Sequence, residues 1–338
     1  MTRIYLAFAG ALGILRQRNG HWMAELFLVD QDCQCLAVDP HHPQRLYCGT
    51  SGNGLWRTTD AGDTWQQVAG ELPYTAVMSV AVSPLEEGDG TGVIWAGTEP
   101  SALFRSEDGG RTWQEQHGLQ ALPSKPTWSF PPRPWTHHVR WIEPDANVVD
   151  RIFVGIELGG VMRSLDGGQS WEDRKPGSQH DCHTLRTHKL ASGIIYEAAG
   201  GGFAESHDGG ATWRGHDGGL DHHYLWGLAV DPGDPSTLLV SGSPGPYAAH
   251  NNQSAEATLY RRTNNGPWQP VYEGLPNPKG TRAYVLATNP AEPGVFYAAT
   301  RRDLYRSSDA GESWEKIPIA WPNQAYFNTV NALVVTDF

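Results

Sequence analysis

Three stretches of the chain crowd together groups that bind metals and carry protons: "RPWTHHVRW" (133–141), "QHDCHTLR" (179–186) and "GLDHHYLWG" (219–227). Imidazole and carboxylate are standard ligands for zinc, manganese, iron or copper. His138, His183, His222 and His223, with Asp181 or Asp221 beside them, could therefore hold a divalent metal. Without a metal the same groups could move protons, and His138, His183, Asp181 and Glu157 of "GIELGG" are the candidate catalytic residues. Arg133 and Arg140 could fix a substrate carboxylate bidentately. Trp226, Tyr224, Tyr284 and His250 offer further substrate-binding faces, and Glu99, Glu197 and Arg282 add polar candidates. Singly, each of these is ordinary, since a loop histidine is usually solvated and an arginine usually an ion-pair partner. Only convergence would make a site, so the elements that carry the three stretches decide the matter.

Those elements repeat. The octet "SEDGGRTW" (106–113) returns as "SLDGGQSW" (164–171), "SHDGGATW" (206–213), "TTDAGDTW" (58–65) and "SSDAGESW" (307–314), with degraded copies "RTNNGPW" (262–268) and "RQRNGHW" (16–22). From Asn19 through Asp60, Asp108, Asp166, Asp208 and Asn265 to Asp309 the steps are 41, 48, 58, 42, 57 and 44 residues, the period of an array of supersecondary units. Each unit opens on an apolar run ending in Asp-Pro or its like, such as "CLAVDP" or "GLAVDP", followed by runs such as "RLYCGT" and "GLWRT". The octet makes the next turn, and a fourth strand starts at its Trp. Short runs rich in β-branched and aromatic residues, broken by Gly, Pro, Asn and Asp, predict strands, and nothing holds helical periodicity. The chain is expected to be all-β, with four-stranded blades. "TVNALVVTDF" (329–338) reads as a first strand, whereas the N-terminus reads as second, third and fourth strands. Joined, they predict a single domain over 1–338, a seven-bladed β-propeller closed by the C-terminal strand pairing with N-terminal ones.

That topology sorts the side chains. The octets share one face with the first-to-second-strand turns, and the opposite face gathers the second-to-third bends and the links between blades. Of the 14 histidines, His117, His137, His138, His180, His183, His216, His222, His223 and His250 fall on the face opposite the octets. Counted back from the Asp-Pro end, one inner-strand position holds Gln34, Met78, His138, His183, Trp226, Tyr284 and Asn331, a predicted ring around a central pocket. Two long segments, 115–135 and 241–257, should overhang the same face and shape it.

The octet itself resembles the Asp-box, or BNR repeat, S-x-D-x-G-x-x-W, and the resemblance covers the whole chain as a fold. Asp-box proteins include sialidases, xyloglucan-cleaving glycoside hydrolases, sortilin-type receptors and photosystem II assembly factors. The resemblance implies boxes lying far from the functional face. The chain lacks the Phe/Tyr-Arg-Ile-Pro motif of sialidases and has seven units rather than their six, and the xyloglucan-cleaving enzymes generally use two propellers. No catalytic residue is carried over from either. The expected function is a hydrolase or lyase acting on a small-molecule or sugar-like substrate in the histidine-rich central pocket, metal-assisted if an ion is held there. A non-catalytic binding or assembly propeller is the alternative. A third class, a metal-dependent redox or lyase catalyst, would use His138 and His183 with a third ligand from "DHHY".

Composition narrows the partners. A net charge of −12 argues against nucleic acid or an anionic membrane, either of which wants a basic face. Cys33, Cys35, Cys48 and Cys182 lack paired zinc spacing and read as small buried residues of a reducing compartment. The N-terminal apolar run reads as blade strands rather than a signal peptide, so a cytoplasmic location is expected.

Overall fold

The octets fold as one recurring turn. In 106–113 the Ser106 hydroxyl donates to Asp108 Oδ1 (2.9 Å) and accepts from Gly110 N (2.9 Å), while Asp108 accepts from Thr112 N (2.9 Å) and Thr112 Oγ1 (2.6 Å). The indole of Trp113 donates back to Gly110 O at 3.1 Å. The same pattern around the Asp recurs in the boxes of Asp60, Asp166, Asp208 and Asp309. Gly109 and Gly110 have φ of +74° and +89°, the left-handed region that a side chain disfavours.

The computed structural model describes residues 1–68, 72–322 and 329–338. Its sheets are antiparallel, except that Ile319–Ala320 pairs parallel to Trp22–Met23, and all but one are built from consecutive strands. Four of them have four strands each, beginning at Ala76–Gly88, Cys182–Thr187, Tyr224–Asp231 and Val285–Thr288. A three-stranded sheet runs Val139–Pro144, Ile152–Ile156, Gly160–Ser164, with a lone bridge from Arg163 to Glu172 where a fourth strand would lie. The remaining path starts at Val330–Thr336, passes through Arg3–Arg18 and His21–Val38, and continues through Leu46–Thr50 and Leu55–Thr58 to Gln66–Val68. Arg3–Arg18 doubles back at Gly10 (φ +119°), because Arg3 and Arg16 both reach Asp63, at 3.6 and 2.5 Å. The architecture is that of a β-propeller.

Apolar side chains meet between neighbouring sheets. Leu239 and Leu259 of one sheet pack with Tyr284, Leu286 and Phe296 of the next, sealed by Trp314 of the last box. Close approach fixes small residues in the second strands: a Cβ on Gly97 would sit 2.5 Å from Val139 of the next inner strand. All four cysteines are buried.

Inner strands are bonded sideways by their side chains. Ser79 Oγ donates to Val139 O (2.8 Å), Thr184 Oγ1 to Trp226 O (2.8 Å) and Asn331 Nδ2 to Cys33 O (2.8 Å). Six inner strands are also bulged near their start, whereas Val285–Thr288 pairs without a slip. The pairing slips at Cys33/Cys35, Val77/Ser79, Val139/Trp141, Cys182/Thr184 and Leu225/Leu228, and between Val330 and Ala332 opposite Phe8 and Ala7. A bulge leaves a residue out of the ladder and re-aims its side chain. Those residues are Gln34, Met78, Arg140, His183, Trp226 with Gly227, and Asn331.

This corrects the predicted ring at one point. Pro144 pairs with Ile152 as Val38 pairs with Leu46, so Asp145, not Glu143, takes the place of Asp39 at the end of the run. The side chains agree, since Arg151 bonds Asp145 at 2.7 Å as Arg45 bonds Asp39 at 3.1 Å. Arg140 therefore holds the ring position, and His138 lies two residues earlier, at the mouth.

Candidate functional site

A cavity of about 1260 Å³ opens on the face opposite the boxes. Gln34, Met78, Arg140, Trp226 and Asn331 contribute ring positions to its wall, and Phe130 to Arg133 and Pro246 to Gln253 contribute parts of the two long segments. Four of these ring residues, Gln34, Met78, Arg140 and Asn331, also line a narrower space of about 630 Å³ leading toward the box face. These four bulged positions thus form the neck of a central channel.

On one side of the mouth the charged groups form a chain. Arg133 grips Glu99 with two bonds (2.7 and 2.6 Å), and Glu99 lies 3.5 Å from His138 Nδ1. His138 Nε2 is 3.0 Å from Glu157, whose carboxylate also lies 3.9 Å from Arg140 Nε. Burial alone would raise the Glu157 carboxyl, but the His138 hydrogen bond and the charges of His138, His183 and Arg140 outweigh it and hold the group at about 2. Glu157 is therefore a carboxylate at neutral pH. The ring of Phe130 packs edge-on against His138 at 4.8 Å, and the guanidinium of Arg140 lies 4.4 Å above the ring of Trp226.

The second group centres on His183, which is fully buried. Its Nδ1 is 2.6 Å from Leu225 O on the next inner strand, and its Nε2 is 3.4 Å from Asp181. Tyr224 and Trp226 flank the imidazole at 4.9 and 4.8 Å. One ligand-type atom each from Glu157, Asp181 and His183 lies within 4.8 Å of the others. Beyond them, His250 stands 4.3 Å from the Trp226 ring and 3.3 Å from the Tyr224 hydroxyl. Burial, helped by the charges of His183 and Arg140, pulls His250 down to about 4, so it is neutral at pH 7; burial pushes Tyr224 up.

The structure brings His138, Glu157, Asp181, His183, Arg133, Arg140, Tyr224, Trp226 and His250 to one mouth. It does not bring His222, His223 or Tyr284 there. His222 lies 3.9 Å from Glu256, and His223 and Asp221 are exposed, because the "DHHY" stretch turns outward before its inner strand begins at Tyr224. The Tyr284 side chain is in the core between sheets, 1% exposed and packed near Tyr305. Glu197 lies wholly buried behind the wall, where burial raises it to about 8. His216 and His207, assigned to opposite faces by topology, both approach Glu205, at 3.4 and 3.0 Å.

Sequence reasoning missed Arg301 and Phe130, which line the same cavity, whereas Tyr247, carried on the 241–257 segment expected to overhang this face, lines it too. Arg301 could have been found, since its second-to-third bend falls on the histidine face by the topological rule. Tyr247 sits on the short helix Pro246–His250, which strand patterning did not foresee.

No protein-family model matches the chain. Among characterised proteins it is similar to a xyloglucanase of Acetivibrio thermocellus, 34% identical over 70% of this chain but 25% of that protein. A xyloglucanase of Hypocrea jecorina is 24% identical over 75% of this chain and 27% of its own length. The chain thus spans about a quarter of these relatives. Among solved structures, the GH74 xyloglucanase of Xanthomonas campestris matches with a TM-score of 0.65 at 18% identity, over 94% of this chain and 52% of that one. YCF48 bound to D1 peptide matches with a TM-score of 0.59 at 16% identity, over 93% of this chain and 85% of that one. At such identities the structural likeness is one of fold. Its sheets and these likenesses give the chain a β-propeller fold, and its repeated turns resemble the Asp-box.

Proposed function

We propose that residues 1–338 form one seven-bladed propeller, closed by Val330–Thr336 on Arg3–Arg18, that hydrolyses a sugar-like substrate in the histidine-lined cavity. The observation that carries this reading is the His138–Glu157 pair, 3.0 Å apart in the cavity wall beside an aromatic face made by Trp226 and Tyr224. Proton transfer runs through this pair: the ionised Glu157 lines the cavity and meets the substrate, and His138, whose Nδ1 is buried, orients the carboxylate and balances its charge from behind. Asp181 faces the same space. The pyranose ring would stack on Trp226, which Arg140 already covers from one side.

The mouth has four guanidinium groups, Arg133, Arg140, Arg282 and Arg301, against the carboxylates of Glu157, Asp181 and Glu99, the last already held by Arg133. A cationic mouth on a chain of net charge −12 selects a sugar bearing an acidic group, because guanidinium matches carboxylate and sulfate geometry. The likeness to xyloglucanases supports glycan hydrolysis as the reaction class.

The test is a panel of neutral and uronate-bearing oligosaccharides, followed by release of reducing ends. Turnover on acidic members, lowered at least about 100-fold in His138→Ala, is expected. An unsaturated, ultraviolet-absorbing product would replace hydrolysis by elimination. Binding without turnover would favour a second reading, a non-catalytic docking domain, to which the likeness to peptide-bound YCF48 lends support.

A further inference from the structure

His183 has an arrangement that proton transfer at the His138–Glu157 pair does not use. Its Nδ1 faces the carbonyl oxygen of Leu225 at 2.6 Å, so that nitrogen carries the hydrogen. Its Nε2 is buried, makes no hydrogen bond among the described residues, and lies 3.4 Å from Asp181 Oδ2. A neutral imidazole would set its lone pair against a carboxylate there. The contact is repulsive unless a positive charge lies between the two atoms.

The surroundings suit a cation. Metal bonds of about 2.1 Å at tetrahedral angles place neighbouring ligand atoms about 3.4 Å apart. That is the separation of His183 from Asp181, and Glu157 lies within 4.8 Å of both. The ligands are held from behind as metal ligands usually are: His183 by Leu225 O, Asp181 by Leu158 N at 3.3 Å, and Glu157 by His138. Gly200 makes room, since a Cβ there would lie 2.1 Å from Asp181 Oδ2. Asp181 and Glu157 also line the cavity, which leaves a side open to water or a substrate oxygen.

We propose that Glu157, Asp181 and His183 bind one divalent transition-metal ion of the zinc or manganese kind at the cavity wall. One imidazole with two carboxylates is a mixed set that suits these ions better than calcium, which takes oxygen alone, or copper(I), which prefers sulfur. The site replaces the ligand set expected from sequence, in that His138, His222 and His223 are not ligands in it. It stands whether or not the cavity cleaves a glycan.

The test uses full-length protein purified without an affinity tag, stripped with chelator and titrated separately with zinc and manganese chloride by calorimetry, with elemental analysis of the dialysed product. Wild type should hold about one ion per chain and melt at higher temperature when loaded. Asp181→Asn and His183→Gln should each weaken binding at least about 100-fold, while the His222→Ala/His223→Ala double variant binds as wild type does. Circular dichroism and melting of the unloaded variants separate lost binding from lost fold, and Asp181→Asn, at a partly exposed residue, keeps the test open if His183→Gln does not fold. The proposal is overturned if folded wild type takes up neither ion, with nitrogen NMR showing His183 Nε2 protonated toward Asp181. Binding that survives Asp181→Asn unchanged would overturn it equally.

Discussion

Gly200 lies against Asp181 so closely that a Cβ on the glycine would fall 2.1 Å from the carboxylate oxygen that faces His183. Gly200→Ala should therefore swing the Asp181 side chain away while leaving the sheet intact. Whatever the cavity binds through Asp181, ion or substrate, should lose at least about tenfold in affinity, because misplacement by about 1 Å is costly at a preorganised site. Calorimetry and circular dichroism on the same sample check this, and unchanged affinity in a folded variant would count against a role for Asp181.

Glu197 supplies a pH dependence. Burial raises its carboxyl from 4.5 to about 8. The folded chain holds this proton more tightly than the unfolded one, so the stability is complete below pH 4.5 and is lost as pH rises toward about 8. Glu197→Gln keeps an acceptor for Gln179 N, now 2.9 Å away, and carries no charge. Its melting temperature should fall less than that of wild type between pH 5 and pH 9, and equal slopes would contradict the assignment.

Glu205 and Arg262 form a buried pair, 2.5 Å apart and 4% and 2% exposed. Arg262 also lies over the rings of Phe203 and Trp268. Removing one partner leaves the other charge buried, so Glu205→Ala should cost about 3–5 kcal/mol in chemical denaturation. A loss under about 1 kcal/mol would show that water or His207 and His216 compensate.

Ala310 occupies the box position where three copies have glycine, at φ +58°. Its backbone bonds, N to Gly294 O at 2.9 Å and O from Arg261 Nε at 2.7 Å, require no side chain. Ala310→Gly relieves the left-handed strain and should gain about 0.5–1 kcal/mol despite the greater freedom of glycine when unfolded. A destabilised variant would mean that strain is negligible there.

Deleting 329–338 removes the strand that pairs Thr336 with Arg3 and the Asn331 bond to Cys33. The truncated chain should lose its single sharp melting transition. A sharp transition retained in calorimetry would disprove closure through this strand.

The boxes were legible because each is stabilised by bonds spanning four residues or fewer, so the local sequence contains all that is needed. The mouth was legible at the level of which segments converge, since strand alternation and turn order assign faces without coordinates. Register was harder. In "VRWIEP" the Glu143-Pro144 pair stands where other runs have Asp-Pro, which shifted His138 onto the ring in place of Arg140. The six-residue spacing from Asp39 to Arg45, repeated from Asp145 to Arg151, was the signal that would have corrected it. Tyr284, His222 and His223 failed for a different reason: whether a side chain at a strand's start faces the channel, the core or solvent depends on where pairing begins, and no short sequence states that.

The bulges at the channel's neck separate two tasks that a regular strand would combine. A residue left out of the ladder contributes nothing to its alternation of inward and outward faces, so its identity is not dictated by the sheet. Gln34, Met78, Arg140, Trp226 and Asn331 share almost no chemistry, yet they occupy matching places in their repeats. The scaffold therefore tolerates rewriting of its throat one position at a time, and a new specificity could be installed there without refolding a blade.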